Sequence, residues 1–327
     1  MSKIRVAVVR GGLSEEYKVS LWTGATVLEN IDKNKFEPLD VIITRNGEWL
    51  HNGRVWMPEF ILRSVDVVFN ALHGTYGEDG TIQRLFDKYC VPYTGSKAFA
   101  SGIAMNKATT KNFLKETDVK MAPHMLVSKN STHDIARIAE KITDMFGPQY
   151  IIKPVSSGSS VGTMMVKNPL LLTQALTDAL SVHDEVMVEV HINGRETSCG
   201  VIERYRGESM YALPPIEIVI PSKDDFFDAS NKYNGTSDEI CPGRFDTNCK
   251  EEIMRVAKLV HQTLNLAQYS RSDFIVADDG IYFLEVNTLP GLTKESLFPK
   301  AIQAVGGTYT DFITHLLTDA LSQCGRR

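Results

Sequence analysis

The first third of the chain alternates short apolar runs with segments of helical periodicity. Apolar runs between turn residues are typical of buried strands, and apolar positions three or four apart are typical of helices. This alternation predicts an open parallel α/β sheet, in which ligands bind beyond the carboxyl ends of the strands. The predicted strands are residues 4–9, 39–44 and 67–72, and the predicted helices are residues 14–28, capped by Ser14, and 80–89.

The rest of the chain divides into two further units. A loop of small residues at 154–162 interrupts the first of them. A polar, aperiodic stretch at 222–242 in the second predicts a lid, because long loops inside compact domains usually have a function. The predicted helices are 101–116, 134–146, 251–264 and 309–321, and the predicted strands are 150–153, 185–190, 195–202 and 216–220. The predicted domains are residues 1–98 (α/β), 99–188, and 189–327, with α+β character toward the C-terminus.

A β-hairpin is predicted near the C-terminus, with its turn at residues 278–280. The glycine of this Asp-Asp-Gly turn can adopt positive φ. If Ala277 pairs with Ile281, then Ile275 pairs with Phe283 and the apolar side chains gather on one face near the turn.

The open end of the same face carries charged and amide side chains. The pairing places Asp273 opposite Glu285 and Arg271 opposite Asn287. Two facing carboxylates repel, so a cation is expected between them. Two carboxylates and an amide oxygen suit Mg²⁺ or Mn²⁺. The alternative is that Arg271 neutralises the pair and the cluster is structural.

Composition excludes several other classes of protein. With 327 residues, 43% of them apolar, the chain can bury substantial cores. The net charge of −5 argues against nucleic-acid binding, which normally needs a basic surface. No stretch approaches the ~20 apolar residues of a membrane span. The five scattered cysteines indicate reduced thiols and a cytoplasmic protein.

Several candidate groups lie where the N-terminal strands end. The glycines at 11–12 lack the Gly-x-Gly-x-x-Gly spacing, which disfavours a nicotinamide dehydrogenase. Glu15 or Glu16, at a helix start, can accept an ammonium group or simply pair with the helix dipole. His73 follows a strand at the expected ligand edge, although a lone histidine is more often structural.

A second set of candidates suggests a nucleotide. Lys153 precedes the small-residue loop, where backbone N–H groups and the hydroxyls of Ser159 and Ser160 can hold phosphate oxygens. A flexible linker is the alternative. Helical spacing alone predicts that Lys107 and Lys111 are solvated.

Two acids near the predicted strand 185–190 add to this set. Glu189 and Glu196 are suited to ribose hydroxyls but are also ordinary surface residues. The backbone at Val190, His191 and Ile192 can bond to the edge of an adenine.

Five segments in this order resemble the signatures of the D-alanine–D-alanine ligase family of the ATP-grasp fold. They are residues 11–20, 71–80, 153–162, 271–273 and 284–293. The resemblance implies a three-domain ATP-grasp fold that covers essentially the whole chain. It also implies ATP-dependent joining of two D-alanine molecules through an acyl phosphate, for peptidoglycan precursor synthesis, in a cytoplasmic homodimer.

The resemblance implies a role for each candidate residue. ATP would be held by Lys107, Lys153, Ser159, Ser160, Glu189, Val190, Ile192, Glu196 and the lid residue Lys232. Two Mg²⁺ or Mn²⁺ ions would be bound by Asp273, Glu285 and Asn287. The first D-alanine would meet Glu16 and His73, the oxyanion would meet Arg271 and the N–H of Gly291, and the second D-alanine would meet Ser296 and Leu297. The lid residue Tyr233 would reach toward Glu16 and Ser159.

Three residues depart from the family pattern: Phe227, Val190 and Arg10. None of the three removes a group that the chemistry needs. Tyr233 favours the dipeptide, because relatives that make D-alanyl-D-lactate tend to lose it. The alternatives are a ligase for D-lactate or D-serine and a degenerate ATP-binding protein with a regulatory role, although degeneration usually removes metal ligands or phosphate lysines first.

Overall fold

The computed structural model describes residues 2–156, 162–219 and 238–324. Within them the N-terminal part forms a sheet of order β4-β3-β2-β1-β5, in which β1 pairs in parallel with β2 and β5. The predicted parallel sheet is therefore confirmed, with an antiparallel extension at β3 and β4 that was not predicted. Its elements are β1 (Ile4–Gly11), α1 (Tyr17–Asn30), β2 (Phe36–Ile43), β3 (Trp49–His51), β4 (Arg54–Trp56), α2 (Pro58–Leu62), β5 (Val67–Asn70) and α3 (Thr81–Lys88).

Helix α1 begins three residues later than predicted. The Ser14 hydroxyl donates to the backbone oxygen of His73 at 2.6 Å, and its oxygen accepts from the N–H of Glu16. Ser14 therefore ties the β1–α1 loop to the end of β5 instead of capping α1, whose N-cap is Glu16. The acids at 15–16 precede the first turn of the helix and lie at the sheet edge.

The middle of the chain forms an antiparallel sheet of order β7-β10-β8-β9. The predicted helix 101–116 is two helices, because Asn106 is extended (φ −100°, ψ 107°) and its side chain caps the second by accepting from the N–H of Thr109. The elements are α4 (Ala98–Met105), α5 (Lys107–Leu114), β6 (Lys120–Met121), β7 (His124–Ser128), α6 (Ile135–Phe146), β8 (Tyr150–Pro154), β9 (Met164–Val166), α7 (Leu172–Val182) and β10 (Glu185–Val190), with 3₁₀ turns at Lys129–Asp134 and Pro169–Leu171.

The C-terminal part forms a sheet of order β14-β13-β11-β15-β16-β6, with β12 also paired to β11. Most of the predicted lid, residues 222–237, lies outside the described residues. Its last part is a strand, because residues 238–240 pair with β13. The elements are β11 (Arg195–Tyr205), β12 (Glu208–Ala212), β13 (Ile216–Val219), β14 (Asp238–Ile240), α8 (Thr247–Thr263), β15 (Tyr269–Ala277), β16 (Gly280–Asn287), α9 (Leu297–Ala304) and α10 (Tyr309–Cys324).

One apolar core joins the N-terminal sheet to the C-terminal helices. Val6 and Phe69 from β1 and β5 share a buried cluster with Phe298, Phe312 and Leu316 from α9 and α10. This packing holds the end of β16 near the carboxyl edge of the N-terminal sheet. In the parts of the chain that the structure describes, no helix is long and apolar enough to cross a membrane. The predicted domain boundaries stay a prediction.

The β15–β16 hairpin confirms the predicted pairing at its open end and corrects it at its turn. Asp273 lies opposite Glu285, and Arg271 lies opposite Asn287. Beyond them a β-bulge shifts the register by one residue, because Leu284 has no partner opposite it. Near the turn, therefore, Phe274 pairs with Phe283, Ile275 with Tyr282, Val276 with Ile281 and Ala277 with Gly280. The shift lets both phenylalanines enter the core below the sheet.

Candidate functional site

A cavity lies where the N-terminal sheet edge, the α4–α5 junction and the end of β16 meet. It unites four residues that the sequence predicted for three different tasks, namely Glu16, Lys107, Glu285 and Asn287. Its remaining lining residues are Glu78, Ala104, Met105, Val286 and Thr288.

Asp273, which lies opposite the cavity residue Glu285 on the hairpin, accepts hydrogen bonds from three side chains. The Arg271 guanidinium donates two hydrogen bonds of 2.9 Å to its two carboxylate oxygens. Ser198, opposite it on β11, donates at 2.5 Å, and the Asn287 amide donates at 3.2 Å. Asp273 is only 5% exposed, so these bonds fix its orientation. The contact matches the alternative interpretation of Arg271, and its role at an oxyanion stays a prediction.

Glu285 has its own cation. The Lys107 ammonium, from the first residue of α5, lies 3.2 Å from a Glu285 carboxylate oxygen. The predicted need for positive charge beside the two acids is therefore met by two protein side chains, one on Asp273 and one on Glu285. The backbone N–H of Lys107 donates to Val155 at 2.9 Å, which ties α5 to the loop after β8.

The same residues have the right chemistry for a divalent metal. Asp273, Glu285 and Asn287 offer hard oxygen donors side by side at the end of one hairpin. Among residues 2–156, 162–219 and 238–324, no three His, Cys, Asp or Glu side chains form a metal-type cluster. Two carboxylates and one amide oxygen are donors that Mg²⁺ can bind while phosphate oxygens and water complete its shell.

A second charged cluster surrounds Glu189 on β10. Its carboxylate contacts the ammonium groups of Lys153, at 2.5 Å, and of Lys111. All three residues are at least 93% buried. Burial raises the pKa of Glu189, but the two lysines outweigh it and the net pKa is lowered. Burial also lowers the pKa of Lys111. The Lys107 side chain is 11% exposed and Lys111 is 3% exposed, so the expectation that both lysines are solvated is wrong.

His73 lies buried between the sheet edge and the loop after β16. Its Nε2 is 2.8 Å from the Thr23 hydroxyl, and the Thr23 oxygen accepts from the N–H of Leu292 at 3.4 Å. Burial lowers the pKa of His73 to about 4, and the Arg271 charge acts in the same direction. The imidazole is therefore neutral at pH 7 and acts as a hydrogen-bonding group.

Glu78 connects the same two regions. It accepts hydrogen bonds from the N–H of Gly74, the N–H of Leu289 and the hydroxyl of Thr288, at 3.0, 3.0 and 3.1 Å. Burial raises the pKa of the Glu78 carboxyl, and these bonds oppose that shift. The loop after β16 is thus fastened to the N-terminal sheet edge by a carboxylate.

Glu16 stands against the backbone of Gly74. A Cβ at Gly74 would lie 2.6 Å from a Glu16 carboxylate oxygen, and Gly74 has φ +68°. Gly74 is therefore needed for Glu16 to lie at the cavity. Across the loop after β16, Gly291 and Ser296 are neighbours, since a Cβ at Gly291 would lie 3.0 Å from the Ser296 oxygen. Ser296 is the N-cap of α9, and Leu297 is its first residue.

The predicted adenine edge lies at the end of β10. The N–H groups of Val190 and His191 donate to Pro123 and Gln149 within the protein, so they are not donors for a base. Ile192 follows, half-buried, and Glu196 lies on β11, also half-buried. Burial lowers the pKa of His191, so its ring is neutral at pH 7. The predicted site residues Ser159, Ser160, Lys232 and Tyr233, with Phe227, lie outside the described residues.

Sequence reasoning missed three residues that shape the site: Lys111, Glu78 and Ser198. A signal existed for Lys111, because Lys107, Lys111 and Leu114 share one face of α5 and Leu114 is apolar and buried. The bond from Ser198 depends on strand pairing across many residues, so no local signal could reveal it. Arg10, which departs from the family pattern, makes two 2.7 Å bonds to Asp40 and has a structural role.

Family comparisons agree with this geometry. The family models described as D-ala D-ala ligase N-terminus and C-terminus match residues 5–60, 53–96 and 113–318. A D-alanine–D-alanine ligase of Geobacter sulfurreducens is 35% identical, over 97% of this chain and 94% of its own.

Two crystal structures extend the comparison to the whole fold. The D-alanine–D-alanine ligase from Bacillus anthracis complexed with ATP has a TM-score of 0.79 at 29% identity, covering 98% of this chain and 99% of its own. The VanG D-Ala:D-Ser ligase from Enterococcus faecalis has a TM-score of 0.83 at 29% identity, covering 98% of this chain and 100% of its own.

The three sheets and the site between them define a ligase with the ATP-grasp fold, as the resemblance implied. The chain belongs to the D-alanine–D-alanine ligase family.

Proposed function

We propose that this protein joins two D-alanine molecules to D-alanyl-D-alanine, with ATP cleaved to ADP and phosphate, for peptidoglycan precursors. The observation that carries the proposal is a cavity lined by Glu16, Lys107, Glu285 and Asn287 together. This cavity supports the proposal because Glu16 is suited to a substrate ammonium group, and Lys107, Glu285 and Asn287 are suited to a metal and a phosphate.

In the first step, the carboxylate of one D-alanine attacks the γ-phosphate of ATP and forms an acyl phosphate. Glu16 accepts the ammonium group of this D-alanine, with neutral His73 behind it. Lys107 and Lys153 balance the phosphate charge, and catalysis of this kind consists mostly of positioning and electrostatic stabilisation. Both lysines pair with acids in the structure, so they exchange those acids for phosphate when ATP binds.

In the second step, the amine of the other D-alanine attacks the acyl carbonyl, and the tetrahedral intermediate expels phosphate. Arg271 and the N–H of Gly291 stabilise the oxyanion, where one such donor is typically worth ~2.7–4 kcal/mol. The N-terminus of α9 receives the carboxylate of the second D-alanine through the N–H of Leu297, beside the hydroxyl of Ser296, whose own N–H donates to Thr293.

Two Mg²⁺ or Mn²⁺ ions complete the proposal. Asp273, Glu285 and Asn287 would hold them, and the ions would spread the negative charge of the transferring phosphoryl group. The part of the chain that includes Ser159, Ser160, Lys232 and Tyr233 is proposed to cover the phosphates and exclude water from the acyl phosphate.

An assay of phosphate release tests this function. The protein with ATP and Mg²⁺ should release phosphate when D-alanine is added and remain at background with L-alanine. Release that does not depend on D-alanine, or no release at all, would reject the ligase and favour a degenerate ATP-binding protein.

The main alternative is that the second substrate is D-serine or D-lactate instead of D-alanine. The observation that favours D-serine is the likeness to the VanG D-Ala:D-Ser ligase. The presence of Tyr233 argues against D-lactate. Product analysis with D-alanine, D-serine and D-lactate in competition across pH separates the three. Dominant D-alanyl-D-serine or depsipeptide at neutral pH would replace the dipeptide proposal.

The proposal also includes a cytoplasmic homodimer, which rests on the family resemblance. Cell fractionation tests the location, and light scattering of the purified protein tests the dimer.

A further inference from the structure

Lys111 is a buried cation that the proposed mechanism does not use. It is 3% exposed, and its ammonium contacts Glu189 and donates to the backbone oxygen of Ala122 at 3.0 Å. Lysine is almost never buried to this extent without a partner.

The cluster around Lys111 contains more positive charge than its acid requires. Glu189 carries one negative charge, and both Lys153 and Lys111 contact it. One lysine would neutralise the buried carboxylate, and burying a further charge costs free energy. The Lys111 ammonium is therefore not needed to neutralise Glu189 while Lys153 is paired with that carboxylate.

We propose that Lys111 is a positioning residue of the ATP site, which compensates Glu189 when the Lys153 ammonium turns to the phosphates of ATP. This inference rests on the proposed function. Without Lys111, movement of Lys153 would leave the Glu189 carboxylate buried without a counter-charge, and removing one partner of a buried pair is strongly unfavourable. With Lys111 present, Lys153 can exchange its acid for phosphate at lower cost.

The surroundings of Glu189 support this role. His124 lies opposite Glu189 in the pairing of β7 with β10. Burial and the charge of Lys111 lower its pKa, so it is neutral at pH 7 and supplies no counter-charge. Lys111 also lies one turn after Lys107 on α5, so one rigid helix carries the compensating lysine and a phosphate lysine.

The first test replaces Lys111 with methionine, which keeps an unbranched apolar side chain of nearly the same length and removes the charge. Binding of ATP with Mg²⁺, without D-alanine, is measured by titration calorimetry. Lys111→Met should weaken ATP binding about 10- to 50-fold and raise KM for ATP, with KM for D-alanine and kcat at saturating ATP within about threefold. Lys115→Met, an exposed lysine one turn further on, should behave as the wild type. Lys111→Arg, which keeps the charge, should restore most of the affinity.

A double variant shows whether the charge of Glu189 is the reason that Lys111→Met weakens ATP binding. In Lys111→Met with Glu189→Gln, the acid that needs compensation is gone, so ATP affinity should match that of Glu189→Gln alone within about threefold. Additive losses, or a Lys111→Met protein that binds ATP as the wild type does, would overturn the inference. A wild-type protein that binds no ATP would instead reject the proposed function. Melting curves of each variant separate loss of folding from loss of binding.

Discussion

Two glutamates of the site are each paired with a lysine of α5, but their surroundings differ. Glu189 is buried and contacts two ammonium groups, Lys111 and Lys153. Glu285 is 21% exposed in its side chain and pairs with Lys107, beside Asp273 with its own guanidinium partner.

The difference separates two tasks on one helix. Among the described residues around Glu189, two cations contact one acid, which leaves an excess of positive charge for an anion near Lys111 and Lys153. At the hairpin, in the described part of the chain, Arg271 contacts Asp273 and Lys107 contacts Glu285. A metal bound by the acids and a polyphosphate bound by the cations can therefore replace both ion pairs. We therefore expect the Glu189 cluster to act mainly in phosphate binding and the Glu285 cluster mainly in metal binding.

The largest expected effect is on catalysis at the hairpin. Glu285→Gln removes a proposed metal ligand, and since a metal supplies several kcal/mol of transition-state stabilisation, kcat should fall about 10⁴-fold. The melting temperature of the metal-free protein should rise or stay close to that of the wild type, because the loss of repulsion with Asp273 offsets the lost Lys107 pair. Asp279→Asn, which removes an acid from the turn of the same hairpin, is the control and should keep activity. Unchanged activity of Glu285→Gln would exclude the metal site.

The next effect concerns stability at the other cluster. Glu189→Gln leaves two lysines buried without their acid, which should lower the free energy of unfolding by about 3 kcal/mol. Thermal melting without nucleotide measures the loss, and added ATP should reduce it because phosphate supplies the missing negative charge. Glu185→Gln, on an exposed position of the same strand, should leave the melting temperature unchanged. If Glu189→Gln is as stable as the wild type, the two lysines do not depend on this buried acid, and the proposed difference between the Glu189 and Glu285 clusters is wrong.

The two clusters also differ in how far the sequence could predict them. The open end of the hairpin was predicted correctly, because strand periodicity and charge repulsion are local rules that apply to Asp273 and Glu285. The turn end was wrong, because the bulge at Leu284 depends on core packing under Phe274 and Phe283.

The burial of the cluster around Glu189 was harder to predict from the sequence. Whether a lysine on a helix is solvated depends on a partner acid brought near by tertiary structure. Glu189 on β10 contacts Lys111 on α5, and no spacing in either segment indicates this. The strand and helix order was predicted well where periodic runs were long. The short strands β3, β4, β6, β7, β9, β12 and β14 were missed.

The burial of His73, between the site and the N-terminal sheet, predicts that stability depends on pH. The pKa of His73 falls from 6.5 to about 4 on folding, so the unfolded chain binds more protons between these values and stability must fall as pH falls. Between pH 7 and pH 4.5 the loss from this residue is about 2 kcal/mol.

Urea unfolding at both pH values measures this loss. His73→Gln should show about 2 kcal/mol less pH dependence than the wild type. His51→Gln, at a partly exposed histidine of β3, should keep the wild-type dependence. Equal pH dependence in His73→Gln and the wild type would mean that His73 is not buried as described.

The smallest expected effect tests how the metal end is oriented. Ser198 donates to Asp273 at 2.5 Å, whereas Ser272, the neighbour of Asp273 on β15, is equally buried and its hydroxyl has no hydrogen-bond partner among the described residues. Removing a hydrogen bond to a metal-binding carboxylate typically lowers activity or metal affinity by about 10- to 100-fold. Ser198→Ala should therefore raise the Mg²⁺ concentration needed for half-maximal activity about tenfold. Ser272→Ala removes an unpaired buried hydroxyl and should leave that concentration unchanged while keeping or raising stability. Equal effects of the two alanines on the Mg²⁺ requirement would mean that Ser198 does not orient Asp273.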